Sequence, residues 1–221
     1  MTEQVGEQAA SDAALPALRH RIEGYYSAKV QAHGATPLGV DWSCTPTQEL
    51  RFVQLLRLCD FSRPFSLDDL GCGYGALLGF MGRRHRGHRA DYLGIDLSPS
   101  MIDHARQLWR KHKGAAFCVG ARSPRVADYA VASGLFNVKL DEPAELWTGF
   151  IEATLKDMAA GSRLGLAVNF LAPLPEGMEG KPELYRTGPQ PWVRYCERTL
   201  GRRVTVLASY GMREFTLLAS T

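Results

Sequence analysis

Two amphipathic helices are predicted near the start of the chain from the spacing of its apolar residues. Leu18, Ile22 and Val30 fall on one face of a helix, and Gly34 ends that pattern. A second run with helical periodicity covers 46–59. Both runs place a continuous apolar stripe against whatever forms the core of the protein.

The pattern then changes to short strand-like runs that alternate with helical runs. Such alternation predicts right-handed β-α-β units and a parallel sheet that is covered by helices on both faces. The last two strands are separated by the short turn SYGM and are predicted to form a hairpin. Strands are predicted at 66–70, 90–95, 115–119, 127–132, 163–170, 203–208 and 213–220, and helices at 75–85, 99–113 and 143–160.

These patterns divide the chain into three parts. Residues 1–16 lack periodicity, and we expect a flexible tail there. Residues 17–62 contain the two early helices and are predicted to form an N-terminal helical lid. Residues 63–221 form one α/β domain.

Composition excludes several classes of protein and suggests no function. The 221 residues are 45% hydrophobic and 22% charged, as in ordinary soluble domains. The net charge of +3 is too small to indicate a nucleic-acid-binding surface. The five cysteines are scattered without a C-x-x-C pair, so we expect reduced thiols and no structural zinc. No apolar run is long enough for a membrane helix or a leader, which predicts a cytoplasmic protein.

The stretch LDDLGCGYG at 67–75 is the first candidate for ligand chemistry. Gly71, Gly73 and Gly75 follow a predicted strand directly and open a helix, so backbone amides can approach a ligand closely. The spacing is G-x-G-x-G, whereas dinucleotide-binding turns have G-x-G-x-x-G. Asp69 precedes the first glycine by two residues, and its carboxylate would repel a pyrophosphate and attract an ammonium group. A plain tight turn is the alternative.

Asp96 is the second candidate, at the end of the next predicted strand. An acidic side chain at that position accepts hydrogen bonds from the two hydroxyls of a ribose. Ser98 is better placed than Asp96 to cap the helix that begins at Pro99, which leaves Asp96 available for a ligand. Together with Asp69, it indicates a nucleoside that carries an amino acid.

At this point the sequence resembles the class I S-adenosylmethionine-dependent methyltransferases. The resemblance rests on LDDLGCGYG, GIDLS, the strand–helix alternation and the terminal hairpin, and covers about residues 45–221. Further segments are similar to a bacterial branch whose substrates are mostly unassigned. The resemblance implies a Rossmann-like three-layer sandwich over 63–221. Its seven-stranded, mostly parallel sheet would have the order 3-2-1-4-5-7-6 with the last strand antiparallel.

The resemblance also implies S-adenosylmethionine as cofactor and assigns residues to it. Asp69 is expected near the methionine amino group, Asp96 at the ribose and Leu97 against the adenine. Ala121 stands where many members carry an acid, so the contact to the adenine edge stays open. Lys29 of the lid is a candidate partner for the methionine carboxylate, with a solvent-facing role as the alternative. The predicted cofactor-binding set is Tyr26, Lys29, Asp69, Gly71, Cys72, Gly73, Gly75, Asp96, Leu97, Gly120, Ala121, Ser133 and Gly134.

The acceptor side has to be inferred from the lid, because methyl transfer mainly requires alignment. His33 and Asp41 bracket a Gly/Pro-rich loop and are candidates for a general base and its orienter; a surface histidine is the plainer alternative. The run ASGLFNVKL after the fourth strand lacks N-P-P-[YF], which argues against methylation of nucleic-acid bases or glutamine. Substrate-binding candidates are Trp42, Arg51, Phe136, Asn137, Tyr185 and Trp192.

The sequence therefore predicts a methyltransferase that acts on O or N of a small molecule and holds no metal. A long irregular stretch at 171–195 is expected to cover the site. The basic run at 83–89 fits a solvated helix end, and nucleic acid is not expected as a partner. An RNA or protein methyltransferase is the alternative enzyme, and a non-catalytic S-adenosylmethionine-binding protein is the alternative of another class. Monomer and dimer both stay open.

Overall fold

The computed structural model describes the backbone of residues 2–221 and the side chains from residue 13 onward. Within that range, seven strands alternate with helices in the predicted way. The helices are α1 (Thr2–His33), α2 (Thr45–Leu55), α3 (Ala76–Arg84), α4 (Pro99–Trp109), α5 (Ala144–Ala160) and α6 (Pro189–Arg198). The strands are β1 (Phe65–Leu70), β2 (Ala90–Asp96), β3 (Ala115–Val119), β4 (Ala127–Ala132), β5 (Ser162–Leu171), β6 (Arg203–Leu207) and β7 (Glu214–Ser220).

The strands form one sheet in the order β3-β2-β1-β4-β5-β7-β6, which confirms the predicted Rossmann-like topology. The first five strands pair in parallel, and β7 runs antiparallel to both of its neighbours, β5 and β6. One buried cluster joins α1, α5 and α6 to one face of the sheet, and a second joins α2, α3 and α4 to the other. The carboxyl ends of the parallel strands therefore meet at one edge, where ligands bind in open α/β sheets.

The first helix begins earlier than the sequence predicted. Residues from Thr2 onward are helical, so most of the segment expected as a flexible tail belongs to α1, and Pro16 lies inside the helix. The Ala-rich stretch before this proline has a high helix propensity, and Leu15 contributes to the buried cluster together with Leu18. Helix α1 packs against both α4 and α5, so it covers the sheet as well as its open edge.

The stretch predicted to be irregular at 171–195 is shorter in the structure. Irregular chain covers 172–188, and α6 follows with a proline in its first turn. The buried positions Trp192 and Cys196 are four residues apart, which is the spacing that identifies this helix. Within residues 2–221, no helix is long and apolar enough to cross a membrane.

Candidate active site

The glycine turn after β1 brings its backbone against the end of β2. Gly71, Gly73 and Gly75 have positive φ angles of 71°, 54° and 81°, which side chains rarely tolerate. The amide of Gly73 donates a hydrogen bond of 2.9 Å to Oδ2 of Asp96. The other carboxylate oxygen of Asp96 accepts from the amide of Ser98 at 2.9 Å. The turn and Asp96 are therefore held as one unit.

The glycines differ in what the missing side chain leaves room for. A Cβ on Gly71 would lie 2.8 Å from Cδ1 of Leu135, another residue of the cavity lining. A Cβ on Gly75 would lie 2.6 Å from Nε1 of Trp109, which donates to the carbonyl oxygen of Tyr74 at 3.0 Å. Gly75 is thus needed for packing between α3 and α4, and it does not line the cavity. Its predicted role in cofactor binding is not supported by this position.

A cavity of about 220 Å³ lies at the carboxyl edge of the sheet, beneath α1 and the loop that follows it. Most of the predicted cofactor residues line it, and seven of the predicted site residues do not. The predicted residues in the lining are Tyr26, Asp41, Trp42, Asp69, Gly71, Cys72, Gly73, Asp96, Leu97, Gly120, Ala121, Ser133, Gly134 and Asn137. Those outside it are Lys29, His33, Arg51, Gly75, Phe136, Tyr185 and Trp192.

Two carboxyl groups give this cavity its electrostatic character. Asp69 is 2% exposed, and its Oδ2 accepts a hydrogen bond of 2.6 Å from the hydroxyl of Tyr92. Burial raises the pKa of Asp69 to about 7, against the opposing effect of that hydrogen bond. Burial also raises the pKa of Asp96, although three backbone amides act in the other direction. A ligand with an ammonium group and hydroxyl donors would satisfy both carboxyl groups.

The loop after α1 is fastened back onto that helix by Asp41. A short 3₁₀ turn, Pro37–Val40, places Asp41 in the left-handed region with a φ of 63°. Its Oδ1 accepts from Nζ of Lys29 at 2.8 Å, and its Oδ2 accepts from the hydroxyl of Tyr25 at 2.6 Å. Partial burial raises the pKa of Asp41, but these hydrogen bonds outweigh it, so the pKa lies below its usual value. A low pKa makes Asp41 a weak base.

The structure does not support the predicted pairing of His33 and Asp41 as a general base and its orienter, because Asp41 is bonded to Lys29 and Tyr25. Helix α1 ends at His33, and the turn at Gly34 sends the chain back toward Lys29 instead. His33 is exposed and lies outside the cavity lining. Lys29, which the sequence predicted to bind the cofactor, instead forms an ion pair with Asp41, because the turn brings the two side chains together.

The indole of Trp42 lies between Gly134, just after β4, and the buried guanidinium of Arg51. A Cβ on Gly134 would come within 2.1 Å of the indole of Trp42, so only glycine fits there. The guanidinium of Arg51 lies 3.7 Å from the centre of the Trp42 ring. Arg51 also donates from Nε to Oε2 of Glu214 at 2.7 Å and forms a second contact to the same carboxylate. Arg51 therefore positions Trp42, and its predicted role as a substrate clamp does not fit this geometry.

The predicted aromatic residues on the acceptor side belong to the core. The rings of Phe136 and Trp192 each stack on Phe170, with centroid distances of 5.2 and 5.4 Å. Tyr185 packs edge-on against Trp192 at 6.5 Å. Asn137 is the predicted substrate residue from this region that does line the cavity.

Residues 184–186 contribute side chains to the site that the sequence analysis missed. This segment forms isolated bridges from Leu184 to Val138 and from Arg186 to Leu171. Alternate residues of an extended segment point to opposite sides, and accordingly Leu184 and Arg186 line the cavity while Tyr185 packs into the core. The two-residue periodicity of this extended segment, and not the aromatic character of Tyr185, is the sequence signal that identifies its cavity-lining residues.

Helix α1 adds further residues to the cavity that the sequence analysis missed, including the charged Arg19 and Glu23. The hydroxyl of Ser27 donates to Oε1 of Glu23 at 2.7 Å and lies 2.7 Å from Oγ of Ser98. Ser98 caps α4 as predicted, because its Oγ accepts from the amide of Met101 at 3.1 Å. The helix is thereby joined to the segment that carries Asp96 and Leu97.

The two histidines of the basic run pack against aromatic rings at the opposite edge of the sheet. His85 stacks on Phe61 with a centroid distance of 3.6 Å, and His88 packs on Phe61 and Phe65. Among the side chains from residue 13 onward, no group of three His, Cys, Asp or Glu residues is arranged to hold a metal ion. The histidines therefore act as part of the packing around the end of α3.

Comparison with known proteins identifies the family. A family described as "Methyltransferase domain" matches residues 69–157, which span the glycine turn, Asp96 and most of α5. A Mycobacterium tuberculosis protein named "Putative methyltransferase Rv1506c" is 40% identical over 163 residues, which cover 74% of this chain and 97% of that protein. The chain therefore belongs to the class I S-adenosylmethionine-dependent methyltransferases.

Solved structures share the fold at low sequence identity. Magnesium protoporphyrin IX methyltransferase from Synechocystis, solved with bound S-adenosylhomocysteine, has a TM-score of 0.58 and 16% identity over 79% of this chain and 82% of its own. Human N-acetylserotonin methyltransferase, in complex with S-adenosylmethionine, has a TM-score of 0.58 and 18% identity over 79% of this chain and 52% of its own. A methyltransferase from Aquifex aeolicus has a TM-score of 0.55 and 17% identity, over 80% of this chain and 93% of its own. These likenesses describe the fold.

Proposed function

We propose that this protein binds S-adenosylmethionine in the cavity and transfers its methyl group to an oxygen or nitrogen of a small molecule. The observation that carries the proposal is the joint placement of Asp69, the glycine turn and Asp96 around one cavity at the carboxyl edge of the sheet. S-adenosylmethionine combines an ammonium group, a ribose and a cationic sulfonium, and these are the groups that two buried carboxyl groups would attract.

The residues around the turn fit the cofactor in a consistent order. Asp69 is assigned to the methionine amino group and Asp96 to the ribose hydroxyls. The amides of Gly73 and Ser98 donate to different oxygens of Asp96 and orient its carboxylate, which has further acceptor capacity for a ligand. Leu97 and Gly120 line the part of the cavity next to β2 and β3, where the adenine is assigned. Gly71 packs closely against Leu135, and both residues line the cavity beside the turn, where the methionine part is assigned.

The chain positions the reactants and excludes water. Bound S-adenosylmethionine supplies an activated methyl group, and an acceptor attacks it in line, so alignment provides much of the rate. Trp42 closes the cavity over Gly134, and Asp41 holds the covering loop against α1. The amide of Gly134 is itself fixed, because it donates to Oδ1 of Asn169 at 2.8 Å.

The covered cavity favours a small acceptor over a macromolecule. Helix α1, the loop through Trp42 and the segment 184–186 all contribute to its lining. A side chain of a folded protein or a base of an RNA would have to displace these elements, while a metabolite would need only their transient opening. Two of the structural neighbours are named for small acceptors, a magnesium porphyrin and N-acetylserotonin, which is compatible with this proposal.

The cofactor assignment is tested by thermal unfolding of the full chain with S-adenosylmethionine and, separately, with NAD. A ligand at one hundred times its dissociation constant stabilises the folded state by about 2.7 kcal/mol. We expect stabilisation by S-adenosylmethionine, its loss in Asp96→Asn, and no effect of NAD. Stabilisation by NAD alone would refute the proposal. Stabilisation without turnover of any acceptor would favour a non-catalytic binding protein.

A further inference from the structure

Asn137 is a buried amide that lines the cavity without a hydrogen-bond partner in the described part of the chain. It is 3% exposed, and neither Nδ2 nor Oδ1 is bonded to any described group. Its backbone is fully engaged, since its amide donates to the carbonyl of Gly134 at 3.2 Å and its carbonyl accepts from Tyr185 at 2.9 Å. A buried amide left without partners costs about 1–3 kcal/mol. One donor-bearing nitrogen and one acceptor oxygen are therefore available to a molecule in the cavity.

Arg186 places a cation on the same side of the cavity. Its Nη1 donates to the carbonyl oxygen of Ala172 at 3.1 Å, which anchors one corner of the guanidinium. Its Nε is buried without a partner, and no carboxylate from residue 13 onward forms an ion pair with it. Gly180 lies over the group, because a Cβ at that position would be 3.6 Å from Nε. The arginine is thus pre-oriented and its charge is not neutralised by a described side chain.

The two buried carboxyl groups of the sheet and the Arg186 guanidinium are held at different positions along the sheet edge. Asp69 and Asp96 belong to β1 and β2. Asn137 follows β4, and Arg186 bridges to the end of β5, on the other side of β1 in the sheet. The lining of that side also includes the aliphatic residues Val138, Leu171 and Leu184. One half of the cavity suits a cationic nucleoside, and the other half suits an anion with an apolar body.

We propose that the methyl acceptor is a small organic anion, whose carboxylate or equivalent charged oxygen group binds Arg186 and Asn137. Its apolar body contacts Val138, Leu171 and Leu184. This inference rests on the proposed function, which it deepens by naming the chemical class of the acceptor. A guanidinium binds a carboxylate through two parallel hydrogen bonds, and such charge-assisted bonds are about twice as strong as neutral ones. The anion is the anchor, and the oxygen or nitrogen that receives the methyl group lies elsewhere on the same molecule.

Matched pairs of acids and amides test this class directly. The probes are 4-hydroxybenzoate against 4-hydroxybenzamide, and phenylacetate against phenylacetamide, titrated by calorimetry onto the full chain saturated with S-adenosylhomocysteine. We expect each acid to bind at least about tenfold more tightly than its amide, as one charge-assisted bond provides. Arg186→Met should abolish this preference. Asn137→Asp should also abolish it, by placing a carboxylate beside the guanidinium.

The control is Arg213→Met, which removes an exposed cation near the same loop but outside the cavity. It should keep the preference, and all three variants should bind S-adenosylhomocysteine as the wild type does. Equal affinity for acid and amide, no binding of either pair, or a preference that survives Arg186→Met would overturn the inference while cofactor binding stands. A protein that fails to bind S-adenosylhomocysteine would refute the proposed function, and with it this inference.

Discussion

Asp69 should make the binding of S-adenosylmethionine depend on pH near neutrality. Burial raises the pKa of this carboxyl group to about 7, although Tyr92 donates a hydrogen bond to it. An ammonium group binds the ionised form. From that pKa, the ionised fraction rises from about 0.09 at pH 6 to about 0.76 at pH 7.5, so the dissociation constant should fall about eightfold across this range. Binding near pH 6.5 should release about 0.8 of a proton for the same reason.

Isothermal titration calorimetry in buffers of different ionisation enthalpy measures both quantities. Asp69→Asn should bind more weakly and show no pH dependence between these values. Tyr92→Phe removes a hydrogen bond that lowers the pKa of Asp69, so it should move the midpoint of the pH dependence upward. If the wild type binds the cofactor equally well at both ends of the range and releases no proton, the assigned contact between Asp69 and the amino group is refuted.

The same pKa predicts how the stability of the free protein changes with pH. Because the folded-state pKa of Asp69 lies above its usual value of 3.8, the folded state binds more protons than the unfolded state between these two pKa values. The free energy of unfolding contributed by this group should therefore be greatest below about pH 4 and decrease as the pH rises toward 7. Asp69→Asn should remove that contribution, which urea denaturation over the same pH range would measure.

Three further perturbations test the arrangement around the cavity. Gly134→Ala should weaken cofactor binding, because the added Cβ would lie 2.1 Å from the indole of Trp42 and displace it. Gly177→Ala controls for backbone strain, since Gly177 has a similar φ of 80° and open space around it. Equal effects of the two substitutions on cofactor binding would contradict the role of the close contact. Arg51→Met should lower the free energy of unfolding, measured in urea, by about 3–5 kcal/mol because it leaves the buried Glu214 without its ion-pair partner. The double substitution Arg51→Met/Glu214→Gln should recover most of this loss. No recovery would show that the lost ion pair does not cause the destabilisation. Asp41→Asn should speed cofactor release in stopped-flow measurements without shifting the pH profile of turnover. Loss of the acidic limb of that profile, where turnover falls as the pH decreases, would instead make Asp41 the base.

Much of the fold follows from local patterns in the sequence. The strands of the parallel sheet are short and apolar, and each is followed by a turn signal such as the glycines after Leu70 or Ser98 before Pro99. These signals act over a few residues, which is why they can be identified without a structure. The positions of Asp69 and Asp96 are predictable for the same reason, since each sits at the end of a strand.

The predictions that failed depend on contacts between distant segments. Nothing near Asp41 in the sequence indicates that Lys29 and Tyr25 engage its carboxylate, because the turn after α1 determines that meeting. Arg51 pairs with Glu214 across 163 positions of sequence. The roles of side chains in the lid and the acceptor region thus come from tertiary packing, and residue type alone was a poor guide to them.

The most direct measurement of the central claim is transfer of a labelled methyl group. The full chain is incubated with methyl-labelled S-adenosylmethionine and a cell extract that is afterwards separated into small molecules, RNA and protein. We expect the label to enter the small-molecule fraction, Asp96→Asn to abolish this transfer, and Arg213→Met to leave it unchanged. Label in the RNA or protein fraction, or none in any fraction, would contradict the central claim.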